Sequence, residues 1–274
     1  MNIDHDSITS AIREAAEEEI MPLWRNLHEH QIEIKSPGDV VTVADRACED
    51  RLSRALIAMI PGSLVIGEES VHGDASLMDI LEGERPVWVI DPLDGTSNFA
   101  AGEGPIAVMV CLIHNQETLG AWIYDPVNAT LLQAEVGAGC SLDGKQLSTT
   151  PFTGNTHNIS GALSTKYLPD TMKLQAHEGA RSLGVTRASG CAGFDYRALV
   201  TGDYQFVFYY RTLVWDHAPG VLIAREAGAH TGRFDEESYL PASENVGLIC
   251  ATNKKIWTEV KDLLVDSSFE PAAH

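Results

Sequence analysis

Short runs of β-branched and other apolar residues recur along the chain, and their spacing limits the possible folds more than any other feature. In the first half the runs follow one another closely, which predicts neighbouring antiparallel strands. We expect strands at residues 64–66, 87–90, 106–113 and 119–124, and a hairpin at 131–142. In the second half, strands at 159–164, 204–210 and 247–251 alternate with helices at 170–180, 192–200, 217–227 and 256–264. The sequence therefore predicts an α+β first half with a largely antiparallel sheet and an α/β second half.

Two helices are expected before these strands. Segment 7–27 carries isoleucines and alanines at helical spacing against a glutamate-rich face. Segment 44–60 carries a leucine-rich stripe that ends at Pro61. Residues 34–42, between the two helices, indicate a loop or a hairpin.

The bulk properties favour a compact soluble protein. No linker rich in Pro, Gly or Ser divides the chain, so residues 1–274 are expected to form one unit with halves of about 1–150 and 151–274. The longest apolar runs, such as 106–113, are far shorter than the roughly 20 residues that cross a bilayer. The first residues have neither a basic start nor an apolar stretch, so they do not resemble a signal peptide. We expect a cytoplasmic protein with no membrane partner.

Charge and cysteine content exclude further classes. The formal net charge is −20, from 39 acidic and 19 basic residues, and such a surface repels phosphate backbones. A nucleic-acid polymer is therefore not expected as a partner. The five cysteines are dispersed without a CxxC pair, which predicts reduced core thiols rather than disulfides or a zinc site. They are Cys48, Cys111, Cys140, Cys191 and Cys250.

Acidic residues stand where the predicted strands end. Glu68 follows strand 64–66, Asp91 and Asp94 follow strand 87–90, and Asp216 precedes helix 217–227, while Asp45 lies at the head of the second helix. The carboxylates of Asp91 and Asp94, with the carbonyl of Leu93, can converge on hard cations. The backbone N–H groups of Gly95 and Thr96 can then turn toward an anion. Together these features indicate phosphate chemistry with Mg²⁺ as the bridge.

Each acidic segment has an ordinary explanation when it stands alone. Asp-Pro and Asp-Gly pairs are typical of turns, adjacent glutamates are typical of solvated loops, and Asp216 could serve only to cap a helix whose first turn holds Pro219. The nine-residue run from Asp91 to Phe99, together with the other two segments in this order, favours the functional interpretation.

These segments resemble signatures of the inositol monophosphatase family. GEES at residues 67–70, DPLDGTSNF at 91–99 and WDHAPG at 215–220 are similar to its GEE, DP-x-DGT-x-NF and WD-x-A-x-G motifs. Residues 34–45 resemble the family's mobile loop and the Asp that follows it, and residues 180–193 resemble the segment lining its substrate pocket. The resemblance implies a five-layer αβαβα sandwich, a homodimer, and Mg²⁺-dependent, Li⁺-sensitive hydrolysis of a small phosphate monoester.

The resemblance also implies residue roles. Glu68, Asp91 and the Leu93 carbonyl would hold a first Mg²⁺, and Asp91, Asp94 and Asp216 a second. A weaker third ion would lie near Glu68, with Lys35 of the mobile loop approaching its waters. Asp45 and Thr96 would orient the attacking water, with Glu68 also counted in the catalytic set. The residues expected to contact the substrate and its phosphate are Asp94, Gly95, Thr96, Gly190, Cys191, Ala192, Tyr209 and Asp216.

Three positions depart from the family pattern, and one of them, Pro219 in place of a common Ala in the WD motif, affects only the entry into the helix. Animal members carry a Glu seven residues before the Asp of the WD motif, and this chain has Tyr209 there, with Arg211 nearby. The exchange removes an acceptor for sugar hydroxyls and leaves the metal ligands untouched. Inositol 1-phosphate remains the first expectation, with histidinol phosphate, fructose 1,6-bisphosphate and 3′-phosphoadenosine 5′-phosphate as alternatives. The negative net charge and the added Arg favour different members of this set, so the substrate stays open.

Two rival functions belong to other classes. A non-catalytic regulator that binds metal or phosphate would be expected to lose Asp91, Asp94, Thr96 or Asp216, and all four are present. A Ca²⁺-binding module would need a D-x-[DN]-x-[DN]-G loop, which the sequence lacks. The regulator is kept as the second alternative.

Overall fold

The computed structural model describes residues 3–36, 39–150, 152–265 and 269. Its first elements are helix α1 (His5–Ala15), the antiparallel strands β1 (Ile32–Ser36) and β2 (Asp39–Thr42), and helix α2 (Val43–Met59). A π-helical segment, Ala16–Ile20, continues α1, and a 3₁₀ turn, Glu29–Gln31, precedes β1. Helix α2 begins where it does because Thr42 caps it. The Thr42 side-chain oxygen accepts the N–H of Ala44, and Asp45 accepts the N–H of Thr42.

The larger sheet has seven strands that lie side by side in chain order. They are β3 (Leu64–Gly67), β4 (Val87–Asp94), β5 (Ala107–His114), β6 (Glu117–Asp125), β7 (Thr130–Glu135), β8 (Gly139–Leu142) and β9 (Lys145–Leu147). Strands β3 and β4 are parallel, and every later neighbour is antiparallel. Helix α3 (Glu68–Gly73) follows β3 directly, a 3₁₀ segment (Ala75–Glu82) leads to β4, and helix α4 (Thr96–Ala101) follows β4.

The smaller sheet has four strands in the order β10-β11-β13-β12. The second half comprises a 3₁₀ turn (Thr156–Asn158), β10 (Gly161–Leu163), α5 (Asp170–Ala180), α6 (Ala192–Thr201), β11 (Phe206–Tyr209), α7 (Val214–Glu226), β12 (His230–Gly232), β13 (Leu248–Ala251) and α8 (Lys254–Leu264). Strands β10 and β11 are parallel and the other pairs are antiparallel, so this sheet is mixed.

Side chains that alternate along the strands place helices on both faces of each sheet. On β4, Trp88 packs in the cluster of α1 and α2, whereas Val89 packs in the cluster of α7. On β11, Val207 shares that second cluster, and Phe208 packs against α8. The order of layers is therefore α1 and α2, the larger sheet, α6 and α7, the smaller sheet, and α5 with α8. This arrangement confirms the expected five-layer αβαβα sandwich.

The structure corrects the sequence-based boundaries at several points. The helix expected over 7–27 does not reach residue 27, because Pro22 lacks the N–H that a helix interior needs and the chain turns there. Helix α7 begins at Val214 instead of residue 217, so Asp216 lies in its first turn and Pro219 lies inside the helix, beyond the first turn. Strand β12 was not anticipated. None of the described helices is long and apolar enough to span a membrane.

Candidate active site

Four chain segments bring acidic side chains to one end of the larger sheet. Because β3 and β4 are parallel, their carboxyl ends lie at the same edge, and these ends carry Glu68, Asp91 and Asp94. The first turn of α7 supplies Asp216, and the first turn of α2 supplies Asp45. The structure therefore places together the acidic residues that the sequence singled out.

A bulge explains how β4 contributes two carboxylates to one face. Residues three apart in a regular strand point to opposite faces. The pairing of β4 with β5 shifts register between Asp91 and Asp94, and this irregularity turns both side chains toward α6 and α7. Asp91 is 1% exposed and Asp94 8% exposed. The two acids are thus held in the interior at the end of the strand.

The carboxylates interact strongly with one another. Burial, followed by the charges of Glu68, Asp94 and Asp216, raises the pKa of Asp91 well above its ordinary value. Burial and the charges of Asp94 and Glu68 likewise raise the pKa of Asp216 to about 8. Burial is also the main cause that raises the pKa of Asp94, to about 6. Concentrated oxygen donors with surplus negative charge are the chemistry that suits a divalent cation, so the residues fit Mg²⁺.

The acids are not, however, arranged as a finished ligand set. Within the described ranges, no three Asp, Glu, His or Cys side chains surround a common point as ligands of one ion. Glu68 Oε1 lies 3.1 Å from Lys35 Nζ, and Asp91 Oδ1 accepts the N–H of Leu93 at 3.0 Å. Asp94 Oδ2 accepts the N–H of Gly193 at 2.6 Å. Of these contacts, only the ion pair with Lys35 competes with a bound ion, because a carboxylate oxygen that accepts one N–H group keeps a lone pair for a metal.

Asp45 and Thr96 meet as the family resemblance implied. Thr96 Oγ1 lies 3.1 Å from Asp45 Oδ1 and 3.0 Å from the carbonyl oxygen of Leu93. The other Asp45 oxygen accepts the N–H and the hydroxyl of Thr42, at 2.8 and 2.6 Å. Asp45 is fully buried, and burial raises its pKa to about 6. The Thr96 hydroxyl is therefore fixed between a carboxylate and a carbonyl at the edge of the acidic site.

Gly95 makes the sharp turn from β4 into α4. Its φ is +88°, in the left-handed region that favours glycine, and it caps α4. A Cβ at this position would lie 2.8 Å from the carbonyl oxygen of Pro105. Only glycine therefore fits, and the turn leaves the first backbone amides of α4 beside Asp94.

The start of α6 forms one wall of the site. Gly190 and Cys191 precede the helix and Ala192 begins it. The Cys191 thiol donates to Asp94 Oδ2 at 3.1 Å, and burial raises the pKa of this thiol well above its ordinary value. A protonated, buried thiol is a poor nucleophile, so Cys191 belongs to the wall.

Tyr209 lies in the adjoining wall, where its hydroxyl is already engaged. The Tyr209 hydroxyl donates to Asp195 Oδ2 at 2.8 Å, and Asp195 Oδ1 accepts the N–H of Ser189 at 3.2 Å. Asp195 is 1% exposed, and burial raises its pKa to about 6. The sequence analysis missed Asp195. The available signal was an Asp in the first turn of the mostly apolar helix that follows the pocket segment.

His217 is a second residue that the sequence analysis missed. Its Nδ1 lies 3.1 Å from the Tyr196 hydroxyl, and its Nε2 lies 3.1 Å from the carbonyl oxygen of Arg211. Burial lowers its pKa to about 3, so the ring is neutral. The tautomer that satisfies both contacts accepts at Nδ1 and donates at Nε2 to the Arg211 carbonyl. His217 thus fixes the backbone that leads into α7.

A cavity of about 180 Å³ opens beside the acids. Of the expected substrate-contacting residues, the ones that line it are Asp94, Gly190, Cys191, Ala192, Tyr209 and Asp216. Three further lining residues, Lys166, Tyr167 and Arg211, place two cations and an aromatic ring on the same cavity. Lys166 and Tyr167 belong to a loop after β10 that carried no sequence signal for a site.

Comparisons with known proteins find relatives that match most of the chain. A family model described as the inositol monophosphatase family matches residues 4–267. An inositol-1-monophosphatase from Synechocystis sp. is 31% identical over 256 residues, which cover 91% of this chain and 85% of the relative. The Nus factor SuhB of Vibrio cholerae is 29% identical over 236 residues, covering 82% and 84%. Among solved structures, a Thermotoga maritima IMPase has the same fold, with a TM-score of 0.80 at 22% identity over 94% of this chain and 95% of that chain.

Proposed function

The chain belongs to the inositol monophosphatase family and is a phosphomonoester hydrolase, and from this premise we propose that it uses Mg²⁺ to hydrolyse a small soluble phosphate ester. The observation that carries the proposal is the meeting of Asp91, Asp94 and Asp216 with the Thr96–Asp45 pair at one sheet edge. Inositol 1-phosphate is the reference substrate that the family suggests. Histidinol phosphate, fructose 1,6-bisphosphate and 3′-phosphoadenosine 5′-phosphate are the alternatives.

The acidic residues would divide the work of holding the metal. Glu68, Asp91 and the carbonyl of Leu93 would hold one ion, and Asp91, Asp94 and Asp216 a second, with a weaker third near Glu68. Bound Mg²⁺ supplies a more acidic water and neutralises charge on the phosphoryl group and the leaving oxygen. The burial of Asp91 and Asp94 supports this division, because oxygen donors in a dry setting bind hard cations strongly.

The remaining groups position the reactants. The Thr96 hydroxyl can donate its one hydrogen bond to Asp45 or to the Leu93 carbonyl, so its oxygen can still accept a hydrogen bond from a water in the site. The turn at Gly95 presents the first backbone amides of α4 to the phosphate. Cys191, held as a thiol against Asp94, closes the wall and excludes water. No side-chain nucleophile is needed.

The cavity wall of this chain differs from that of animal family members at a position that contacts inositol. Inositol selectivity is therefore not expected to carry over directly to this chain. Tyr209 stands where animal family members have Glu, and its hydroxyl is hydrogen-bonded to Asp195. The carboxylate that would accept a hydrogen bond from a sugar hydroxyl is thereby replaced by a tyrosine. The hydroxyl of this tyrosine already donates its hydrogen bond to Asp195.

Phosphate release from the four candidate substrates tests the function. Assays would compare Mg²⁺, EDTA and added Li⁺. We expect release that EDTA abolishes, and Asp91→Asn should lower turnover by at least about a thousandfold because a charge shared by two ions is lost. Asp79→Asn, an exposed Asp outside the site, is the matched control. Full activity of Asp91→Asn with Mg²⁺ would show that the metal site has been assigned wrongly.

The relative from Vibrio cholerae favours a second candidate. Its name is Nus factor SuhB, so a regulatory role of the Nus-factor kind is the alternative to catalysis. Folded protein that releases no phosphate from any of the four substrates with Mg²⁺ present would favour this candidate.

Assembly and location belong to the same proposal. The family resemblance supports a homodimer, and the sequence features favour a subunit with one domain over residues 1–274 and a location in the cytoplasm. Light scattering coupled to gel filtration tests the dimer, and limited proteolysis tests the single domain. A monomeric mass at micromolar concentration would exclude the dimer.

A further inference from the structure

We propose that Asn98 is a positioning residue, which holds residues 188–191 of the cavity wall in a fixed place beside the turn at Gly95. This inference rests on the proposed phosphatase function and adds to it a residue that sets how tightly the substrate binds. The juxtaposition that carries it is one side-chain amide of α4 that donates hydrogen bonds to two other segments, at the carbonyl oxygens of Pro105 and Ser189.

The side-chain amide of Asn98 serves as a double donor. Its Nδ2 lies 2.8 Å from the carbonyl oxygen of Pro105 and 3.2 Å from that of Ser189. An amide nitrogen carries two N–H groups, so it can satisfy both oxygens at once. The reverse orientation of the amide would place its oxygen against two carbonyl oxygens, so these neighbours decide which way the side chain points. Both donors of Asn98 are therefore engaged between segments.

One of these hydrogen bonds holds the loop that packs against the turn at Gly95. The carbonyl oxygen of Pro105 would lie 2.8 Å from a Cβ at Gly95, so it is in direct contact with the turn. Asn98 fits closely against the same loop, because a Cβ at Gly104 would lie 2.9 Å from Asn98 Cγ. Asn98 and this loop thus support the backbone amides that are proposed to face the phosphate.

The other hydrogen bond holds the cavity wall. The carbonyl oxygen of Ser189 accepts from Asn98 of α4, and the N–H of Ser189 donates to Asp195 of α6 at 3.2 Å. The Ser189 hydroxyl donates to the carbonyl oxygen of Cys191 at 2.8 Å, which fixes the residues that follow. Residues 188, 190 and 191 line the cavity. Loss of the Asn98 hydrogen bond would therefore remove a tie between the substrate wall and α4.

Asn98 acts through the wall and not by touching the substrate. Its side chain is half-buried, and it is not among the described residues that line the cavity. A substrate that rests on the wall contacts it in the ground state and in the transition state alike. A looser wall should therefore weaken both equally, which raises KM and leaves kcat almost unchanged.

Two variants of Asn98 and a matched control test the proposal. Asn98→Asp keeps the shape of the side chain but loses both donors, and Asn98→Ala removes the donors without adding charge. With the best of the four candidate esters, Asn98→Ala should raise KM about tenfold and Asn98→Asp at least as much. Both should keep kcat and the Mg²⁺ concentration for half-maximal activity within about threefold of the native values. Asn158→Asp makes the same change at an exposed position away from the cavity and should leave KM unchanged.

Hydrogen–deuterium exchange measures the wall itself in the absence of substrate. Peptides that cover residues 188–191 should exchange at least about tenfold faster in both Asn98 variants, whereas peptides from α8 should keep their native rates. Thermal unfolding shows that each variant is folded. If Asn98→Asp does not fold, Asn98→Ala alone decides the outcome.

The outcomes separate the two proposals. A native KM in Asn98→Ala, or a lower kcat at unchanged KM, overturns the positioning role of Asn98 and leaves the phosphatase standing. Native exchange rates at residues 188–191 in this variant overturn the positioning role as well. Failure of the native protein to release phosphate from all four esters overturns the phosphatase and this inference together.

Discussion

The short helix α3, which begins at Glu68, is held by a buried carboxylate from α2, and mutations can measure the strength of this contact. Glu49, on α2, accepts the N–H of Glu69 at 2.8 Å and the N–H of Ser70 at 2.9 Å. The Glu49 carboxylate can come this close to the backbone only because the residue before α3 is Gly67. A Cβ at Gly67 would lie 2.1 Å from Glu49 Cδ and 2.4 Å from both carboxylate oxygens. Gly67 has φ −116° and ψ 153°, so alanine there would suffer the clash without backbone strain.

We therefore expect Gly67→Ala to lower the free energy of unfolding by about 2 kcal/mol, as overpacking does. Glu49→Ala should lower it by about 3 kcal/mol, because three hydrogen bonds to the carboxylate are lost, from the N–H groups of Glu69 and Ser70 and from the Ser70 hydroxyl. In the double variant the clash disappears with the carboxylate, so the total loss should stay at about 3 kcal/mol instead of the sum of about 5 kcal/mol. The coupling energy between Gly67 and Glu49 is then about 2 kcal/mol.

Urea unfolding of the four proteins measures this cycle, and Gly73→Ala is the control, since a Cβ at Gly73 has no atom within 4 Å. The control should stay within about 0.5 kcal/mol of the native chain. The single variants should also need more Mg²⁺ for half-maximal activity, because Glu68 begins the same turn. A coupling energy below about 0.5 kcal/mol would refute the reasoning, because independent sites add to within that margin.

Three further predictions concern the acidic site and the wall of the cavity beside it. Thr96→Ala should lower kcat by at least about a hundredfold and stability by only about 1 kcal/mol, while Thr96→Ser retains most activity, as measured by phosphate release and thermal unfolding. Tyr209→Glu should lower stability by about 3 kcal/mol, because it sets a second carboxylate against the buried Asp195, and should alter relative rates across substrates more than the Mg²⁺ requirement. The pKa of Asp195 is raised from 3.8 to about 6, so the folded state holds the extra proton and the free energy of unfolding falls as pH rises between these values. Asp195→Asn should remove this decrease in the free energy of unfolding, which amounts to roughly 3 kcal/mol, and urea titrations at pH 4 to 7 measure it. If the variant kept the pH profile of the native chain, this prediction would be wrong.

Much of the fold was predictable because its elements have strong local signals. Helix α5 spans the residues expected from the sequence, and most strands of the larger sheet lie where apolar runs stand between turns, whereas the polar strand β9 carried no such signal. The ends of helices and strands, and the shortest elements, were harder to predict, because the local sequence there favours more than one conformation. Helix α7 starts three residues before the expected position. The Trp215–Asp216 motif was expected to cap the helix from outside, but both residues lie within its first turn. Helix α3 has six residues and no apolar periodicity, so only tertiary contacts such as those of Glu49 specify it.

The candidate site divides in the same way. The acids at strand ends could be found from the sequence, because each stands directly after an apolar run and the segments occur in a recognisable order. Lys166 and Tyr167 could not, because they meet Arg211 only through the packing of β10 beside β11, 40 or more residues apart in the chain. The assignment of Asp91, Asp94 and Asp216 to particular ions remains a prediction.

Backbone amides, more than basic side chains, stabilise the buried acids of this molecule. This affects how readily these acids can bind a metal ion. Asp94 is held by the N–H of Gly193 at the start of α6, and Glu49 by the amides at the start of α3. Helix starts can stabilise a carboxylate without bringing in a mobile cation that would compete with a metal ion. The basic side chains that do approach come from outside the strand ends, Lys35 from the hairpin and Arg211 from the cavity wall. The acids are thus left to interact with a bound metal ion.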